Sequence, residues 1–360
     1  MKASDVYNAI DSFAPFALQA DWDNSGFQVG DPQREVSRVA VSLDPTVEVI
    51  QQALDSKAEL LVCHHPLIFK PLSRLIFGNP VSDALLMAIK GRLSIISAHT
   101  NWDVTGICQP LAHILEIRPL DFLEEIPCEL LKLAVFVPPE NTAELMESLF
   151  AAGAGHIGNY SKCSFRAQGI GSFFSGEYTN PHIGTPGTFS ETPEERLELI
   201  LPPSLRHKVA EAILKNHPYE EPAYEFYPIK SYGEFGYGLY GLWDPPREPL
   251  SFVAEKLHLD ALVHTSFIPK LVKKVALMPG SMGSTLKLAQ HADAELLITG
   301  DLKHHLAQEA KDLGIGVISA GHFETEDPGT RALMNILKTK LDSLDFFYID
   351  GISPMALWER

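Results

Sequence analysis

The run Leu60-Leu61-Val62-Cys63-His64-His65-Pro66 constrains this chain more than any other stretch. Apolar residues with no charged interruption read as a strand buried on both faces, which a parallel sheet covered by helices requires. Pro66 has no N–H to give to a neighbouring strand, so the strand stops there. Two imidazoles therefore arrive together at its carboxyl end, the edge of an α/β sheet where ligands gather. Adjacent residues of a strand point to opposite faces. His64 and His65 thus serve two ions more readily than one, unless the backbone turns. Cys63 falls on the side opposite His64 and reads as core.

The flanking sequence follows the same grammar. Residues 4–14 predict an amphipathic helix capped by Ser4 or Asp5. Strands follow at 37–43, 59–63 and 93–97, with helices at 46–56 and 81–90 between them, a βαβαβ order that implies a mostly parallel sheet. Trp22-Asp23-Asn24-Ser25-Gly26 forms a polar turn, and the third strand runs into Ala98-His99-Thr100-Asn101-Trp102-Asp103.

Near residue 127 the pattern changes. A strand at 132–137, a helix at 141–151, Gly-rich hairpin strands within 153–187, a strand at 196–201, a helix at 205–216 and a strand at 223–229 give the β-α-β-β-α-β order of a ferredoxin-like unit. The α/β grammar then resumes, with strands at 273–278, 295–299, 316–319 and near 345–349. Helices are expected at 250–257 and 284–292, from Thr299-Gly300-Asp301-Leu302-Lys303-His304-His305 to a Gly314 cap, and over about four turns after Gly321. The expected organisation is a discontinuous α/β domain, 1–126 plus 232–360, interrupted by an inserted α+β domain at 127–231. The two α/β pieces echo one another: Leu61-Val62-Cys63-His64-His65 parallels Leu297-Ile298-Thr299-Gly300-Asp301, which suggests two similar halves sharing one site.

Bulk properties exclude several function classes. A chain of 360 residues exceeds one comfortable core. With 29 basic against 46 acidic residues, the net charge of −17 disfavours non-specific binding to nucleic acid or an anionic membrane. The 4 cysteines form no C-x-x-C pair, so neither a zinc ribbon nor a disulfide framework is expected. The first residues lack a signal-peptide apolar core and no run approaches membrane-spanning length, so the expected compartment is the cytoplasm.

Polar residues collect at the expected strand ends: His64, His65, His99, Asp103, Asp301, His305, His322 and Glu326. His322 and Glu326, four apart at a helix start, share one face. A carboxylate in the first turn of a helix also complements the macrodipole, with or without a metal. Taken together, however, the imidazoles and carboxylates at His64, His65, Asp103, His322 and Glu326 exceed what one tetrahedral ion uses while keeping a water position open. A carboxylate-bridged pair of ions fits better. Mixed nitrogen and oxygen donors suit zinc, iron(II) or manganese.

Five stretches carry a resemblance: Trp22-Asp23-Asn24-Ser25-Gly26, Cys63-His64-His65-Pro66, His99-Thr100-Asn101-Trp102-Asp103, Thr299-Gly300-Asp301 and Gly321-His322-Phe323-Glu324-Thr325-Glu326. In this order they resemble the Nif-three-like family, whose members are labelled GTP cyclohydrolase 1 type 2 homolog. The inserted piece, with Gly184-Thr185-Pro186-Gly187 and His217-Pro218-Tyr219-Glu220-Glu221-Pro222, resembles the PII-like domain of its longer bacterial members. The resemblance implies a dinuclear metal centre at His64, His65, Asp103, His322 and Glu326, bridged by Glu326. It also implies a ring-shaped homohexamer.

The expected activity is that of a metal-dependent hydrolase. In the cyclohydrolase version a metal-bound hydroxide opens the guanine imidazole ring of GTP, and His99 or His305 moves the proton. There is no P-loop and no Arg/Lys cluster, although Lys70 and Lys303 fall near the expected site. The alternatives are a phosphoesterase using the same ions and a metal-binding or regulatory hexamer without turnover.

Overall fold

The computed structural model describes residues 1–158, 160–281, 283, 285–351 and 353–355. It is a mixed α/β fold with two sheets. Backbone contacts divide it into two compact units, one of residues 1–126 and 233–360, the other of residues 127–232.

In the first unit a five-stranded sheet runs in the order Gly26–Val29, Ser94–Ser97, Leu60–Cys63, Arg38–Ser42, Asp345–Tyr348. All neighbours are parallel except Gly26–Val29, which is an antiparallel edge. Leu60–Cys63 is buried along its whole length, as its unbroken apolar run requires. Its two faces feed different cores. Leu60 and Val62 join the cluster that includes Trp102 and Trp243, whereas Leu61 and Cys63 pack with Ile50, Leu85 and Ile95. Cys63 is thus core, as its position in the strand suggested, and burial pushes its thiol pKa up.

A second sheet of this unit carries the central parallel strands Val272–Ser281, Leu296–Asp301 and Gly316–Ser319, flanked by antiparallel partners at residues 239–247 and Val263–His264. Both sheets deliver strand carboxyl ends that matter below. Cys63 and Ser97 close strands of the first, Asp301 and Ser319 close strands of the second.

Helix starts differ from expectation in instructive ways. The first helix is Ala3–Asp11, capped by Lys2, and Asp5 sits at its third position with a carboxylate oxygen 2.8 Å from the Lys2 N–H. Asp5 satisfies an orphan donor from inside the first turn rather than as the cap. The helix after Gly321 is longer than expected, His322–Lys340, and passes through Pro328. The helix expected at 284–292 is observed as Thr285–His291; Ser284 and Met282 lie outside the described residues.

The second unit has the element order strand, helix, strand, strand, helix, strand. Residues 131–137 pair antiparallel with Phe189–Leu201, which pairs antiparallel with Phe165–Phe174. The helices Thr142–Ala151 and Arg206–Asn216 bury Leu145, Leu149, Val209 and Ile213 against Leu133, Val135, Leu197 and Leu199. Two strands are far longer than the sequence signalled, Arg118–Val137 and Tyr224–Arg247.

Candidate metal centre

The backbone bends immediately after Cys63, so His64 and His65 leave the strand on converging rather than opposite paths. Their ring centroids lie 4.9 Å apart. His64 is fully buried, and its Nδ1 lies 2.9 Å from the Ala98 carbonyl oxygen, to which it donates. His65 Nδ1 donates to Asp44 Oδ1 at 2.7 Å, from the loop that ends Arg38–Ser42.

Two more histidines are held the same way. His99 Nδ1 donates to Asp23 Oδ1 at 2.7 Å, and Asp23 also accepts from the Thr100 and Ser25 hydroxyls. His322 Nδ1 donates to Asp301 Oδ2 at 2.7 Å. Each imidazole is therefore tied at Nδ1 to a carboxylate or carbonyl, which fixes its tautomer and frees Nε2. That outer arrangement is characteristic of metal-ligating histidines.

The freed nitrogens meet around Glu326. Its Oε2 lies 3.0 Å from His65 Nε2, 3.2 Å from His322 Nε2 and 3.9 Å from His64 Nε2. Asp103 Oδ1 adds a second carboxylate 3.4 Å from His64 Nε2. Helix periodicity accounts for the His322–Glu326 contact, since residues four apart are neighbours on one face. Two groups have ligand atoms all within 4.8 Å of one another: His64, His65 and His99, and His65, His322 and Glu326. They share His65.

The charge balance of this cluster fits a cation. Burial lowers the His64 pKa to about 3, so this imidazole is neutral, the form that binds metal. Burial raises Asp103 to about 7, with the Glu326 charge adding to the effect. Burial opposes the Glu326 charge as well, but hydrogen bonds from His322 and His65 hold its carboxyl well below the usual range. His65 is desolvated, yet its bonds to Asp44 and Glu326 raise it to about 10; the Glu326 bond is the main cause raising His322 to about 9. Metal binding at these two imidazoles would displace their protons.

Two further observations agree. His64 Nε2 is buried without a hydrogen-bond partner, which is costly unless something else satisfies it. Gly280, at φ +61°, packs directly on Glu326 Oε1, and a Cβ there would collide with the carboxylate. The donor set therefore suits divalent cations bound by nitrogen and oxygen.

The cluster opens into a cavity of about 650 Å³ lined by His65, His99, Asp103, His322 and Glu326. Trp22, Phe69 and Tyr237 supply ring walls. Trp22 and Phe69 each stand edge-on to His99, at centroid distances of 6.0 and 6.2 Å. No Lys or Arg is among its described lining residues.

Of the sequence-selected residues, the structure brings His64, His65, His99, Asp103, Asp301, His322 and Glu326 together. His305 lies in the first turn of His304–Leu313, exposed and outside the cavity lining, and Lys70 and Lys303 are likewise exposed and outside it. Asp44 and Asp23 are the site residues that sequence reasoning did not select. Both follow a recognisable signal, since Asp44 ends a strand and Asp23 sits in the Trp-Asp-Asn-Ser-Gly turn.

Among the described residues no helix is long and apolar enough to cross a membrane. The family described as Duf34/NIF3 (NGG1p interacting factor 3) matches residues 1–353. A Halalkalibacterium halodurans protein named GTP cyclohydrolase 1 type 2 homolog is 34% identical over 324 residues, covering 88% of this chain and 87% of its own. A Bacillus subtilis protein of the same name is 33% identical over 352 residues, covering 95% and 94%. A solved Bacillus cereus protein related to NIF3 superposes with TM-score 0.88 at 30% identity, covering 99% of each chain. A Staphylococcus aureus structure, at 24% identity and TM-score 0.81 over 100% of this chain and 99% of its own, shares the fold. With its motifs in place and its length matched nearly end to end, this chain belongs to the Duf34/NIF3 family.

Proposed function

We propose that this protein is a dinuclear metal-dependent hydrolase in which His64, His65, Asp103, His322 and Glu326 would hold the ions. The observation that carries this reading is the common restraint of four imidazoles at Nδ1 by Ala98, Asp44, Asp23 and Asp301. Preset rings of that kind are what a metal site needs before it binds. When bound, zinc, iron(II) or manganese supplies Lewis acidity and lowers the pKa of a coordinated water.

The remaining work falls to the chain. His99 holds or moves a proton at Nε2, its ring fixed by Asp23, and it faces the cavity beside Trp22 and Phe69. His305, exposed on its helix, has less to support it in that role. Trp22, Phe69 and Tyr237 form walls suited to a flat ring and exclude water from one side of it. A guanine ring fits this description, in keeping with the names of the bacterial relatives. The described lining residues, without Lys or Arg, offer a triphosphate no cationic clamp.

The residue order of the second unit supports reading it as a ferredoxin-like, PII-type insertion. Assembly into a homohexameric ring and a cytoplasmic location complete the proposal. The test is metal-loaded protein offered GTP, guanosine and simple phosphoesters. Ring opening of GTP or guanosine, lost in His99→Ala, agrees with the cyclohydrolase version. Hydrolysis of phosphoesters with GTP untouched moves the reading to a phosphoesterase, and no turnover of any of them moves it to a metal-binding assembly.

A further inference from the structure

A second cavity, of about 290 Å³, lies wholly within the unit of residues 127–232. Its described walls carry the carboxylates Glu194, Glu220 and Glu221 and no Lys or Arg. Three carboxylates outnumber the His182 imidazole, the one basic side chain among the described walls, so an anion entering this space meets mainly like charge, which disfavours phosphates, nucleotides and carboxylic acids. Tyr219 and Phe173 line the same space, so an apolar body is accommodated there as well as a charge.

The Glu194 carboxylate is held in place. The Tyr219 hydroxyl donates to Glu194 Oε1 at 2.8 Å. Glu194 Oε2 rests against Gly171, where a Cβ would collide with it. Tyr219 is itself anchored, because its backbone N–H donates to His217 Nδ1 at 3.1 Å while His217 Nε2 donates to the Phe136 carbonyl at 2.8 Å. Glu220 is tied as well, accepting from the Asn180 N–H at 3.0 Å.

A bare metal ion is a poor match. It needs donor atoms that converge, and among the described residues the only groups close enough are those of the first unit, built from His64, His65, His99, His322 and Glu326. Carboxylates spread around a small cavity beside aromatic rings suit a ligand that carries its charge on an organic frame.

We propose that this cavity binds a small organic monocation, an amine or amidine with an apolar body, with Glu194 as its counter-charge and Tyr219 and Phe173 against its body. The proposal is independent of the metal centre, and none of its residues contributes to that site.

Isothermal titration of the full-length protein with benzamidinium and phenethylammonium tests it, with benzamide and benzoate as neutral and anionic counterparts of similar shape. At least one cation is expected to bind with Kd below about 1 mM, and benzamide and benzoate at least about tenfold more weakly. Glu194→Gln, which keeps the shape and removes the charge, is expected to weaken the cation by about tenfold with the thermal unfolding midpoint unchanged. Should that variant not fold, Glu220→Gln combined with Glu221→Gln carries the same comparison. The proposal is overturned if neither cation binds, if benzamide binds as well as benzamidinium, if the glutamine variants bind as tightly as the wild type, or if manganese(II) displaces the cation.

Discussion

Asp44 sets the direction of His65: its Oδ1 accepts from Nδ1 at 2.7 Å, and the opposite nitrogen consequently lies 3.0 Å from Glu326 Oε2. The pair comes from the ends of two adjacent parallel strands, Arg38–Ser42 and Leu60–Cys63. Asp44→Ala removes the restraint and leaves the ligand set intact. Loss of an outer partner of this kind costs about 10–100-fold in metal affinity. Competition against a chelator should show that loss with circular dichroism unchanged, whereas wild-type affinity in the variant would mean that Asp44 does not position the ring.

Gly280 is a second lever on the same carboxylate. Its φ of +61° already disfavours a side chain, and a Cβ would collide with Glu326 Oε1. Gly280→Ala should cost about 1–3 kcal/mol in stability and lower the metal content, because Glu326 must move. Thermal denaturation and elemental analysis of the variant check both. A variant with wild-type metal content and stability would show that the contact relaxes freely.

His217 gives the inserted unit an acid-side sensitivity. Burial lowers its pKa below the ordinary 6.5, against the Phe136 carbonyl bond and the Glu194 charge, with the His182 charge acting in the same direction as burial. Its Nδ1 accepts from the Tyr219 N–H, so protonation there breaks a bond. The unfolded imidazole titrates near 6.5, so the unfolded chain binds more protons in the window just below that value. The contribution of this group is complete above about pH 6.5 and is lost as pH falls through the depressed folded value. Urea unfolding followed from pH 8 to pH 5 should show a shallower acid-side decline in His217→Gln than in the wild type. Identical slopes would contradict the assignment.

The strand ends were legible because an unbroken apolar run followed by His-His-Pro admits few other readings. The His322–Glu326 pairing was legible because helical spacing is fixed. The lengths of Arg118–Val137 and Tyr224–Arg247 were not. Pro119, Pro127, Pro228 and Gly233 interrupt them and argue locally against strand, and only partners distant in sequence draw the backbone out. The turn of the chain at His64, which converts two divergent side chains into a convergent pair, is likewise a tertiary event. Asp23 and Asp44 were visible as polar residues in turns, yet nothing in their spacing tied them to a histidine more than 20 residues away, at |i−j| of 76 and 21.

The most direct test of the central claim is elemental analysis of protein purified without added metal, alongside Glu326→Gln. The wild type should retain a pair of divalent ions per chain, and the variant should lose at least one of them, since a single carboxylate oxygen approaches His64, His65 and His322. Wild-type protein free of stoichiometric metal, or a variant that keeps the full pair, would contradict it.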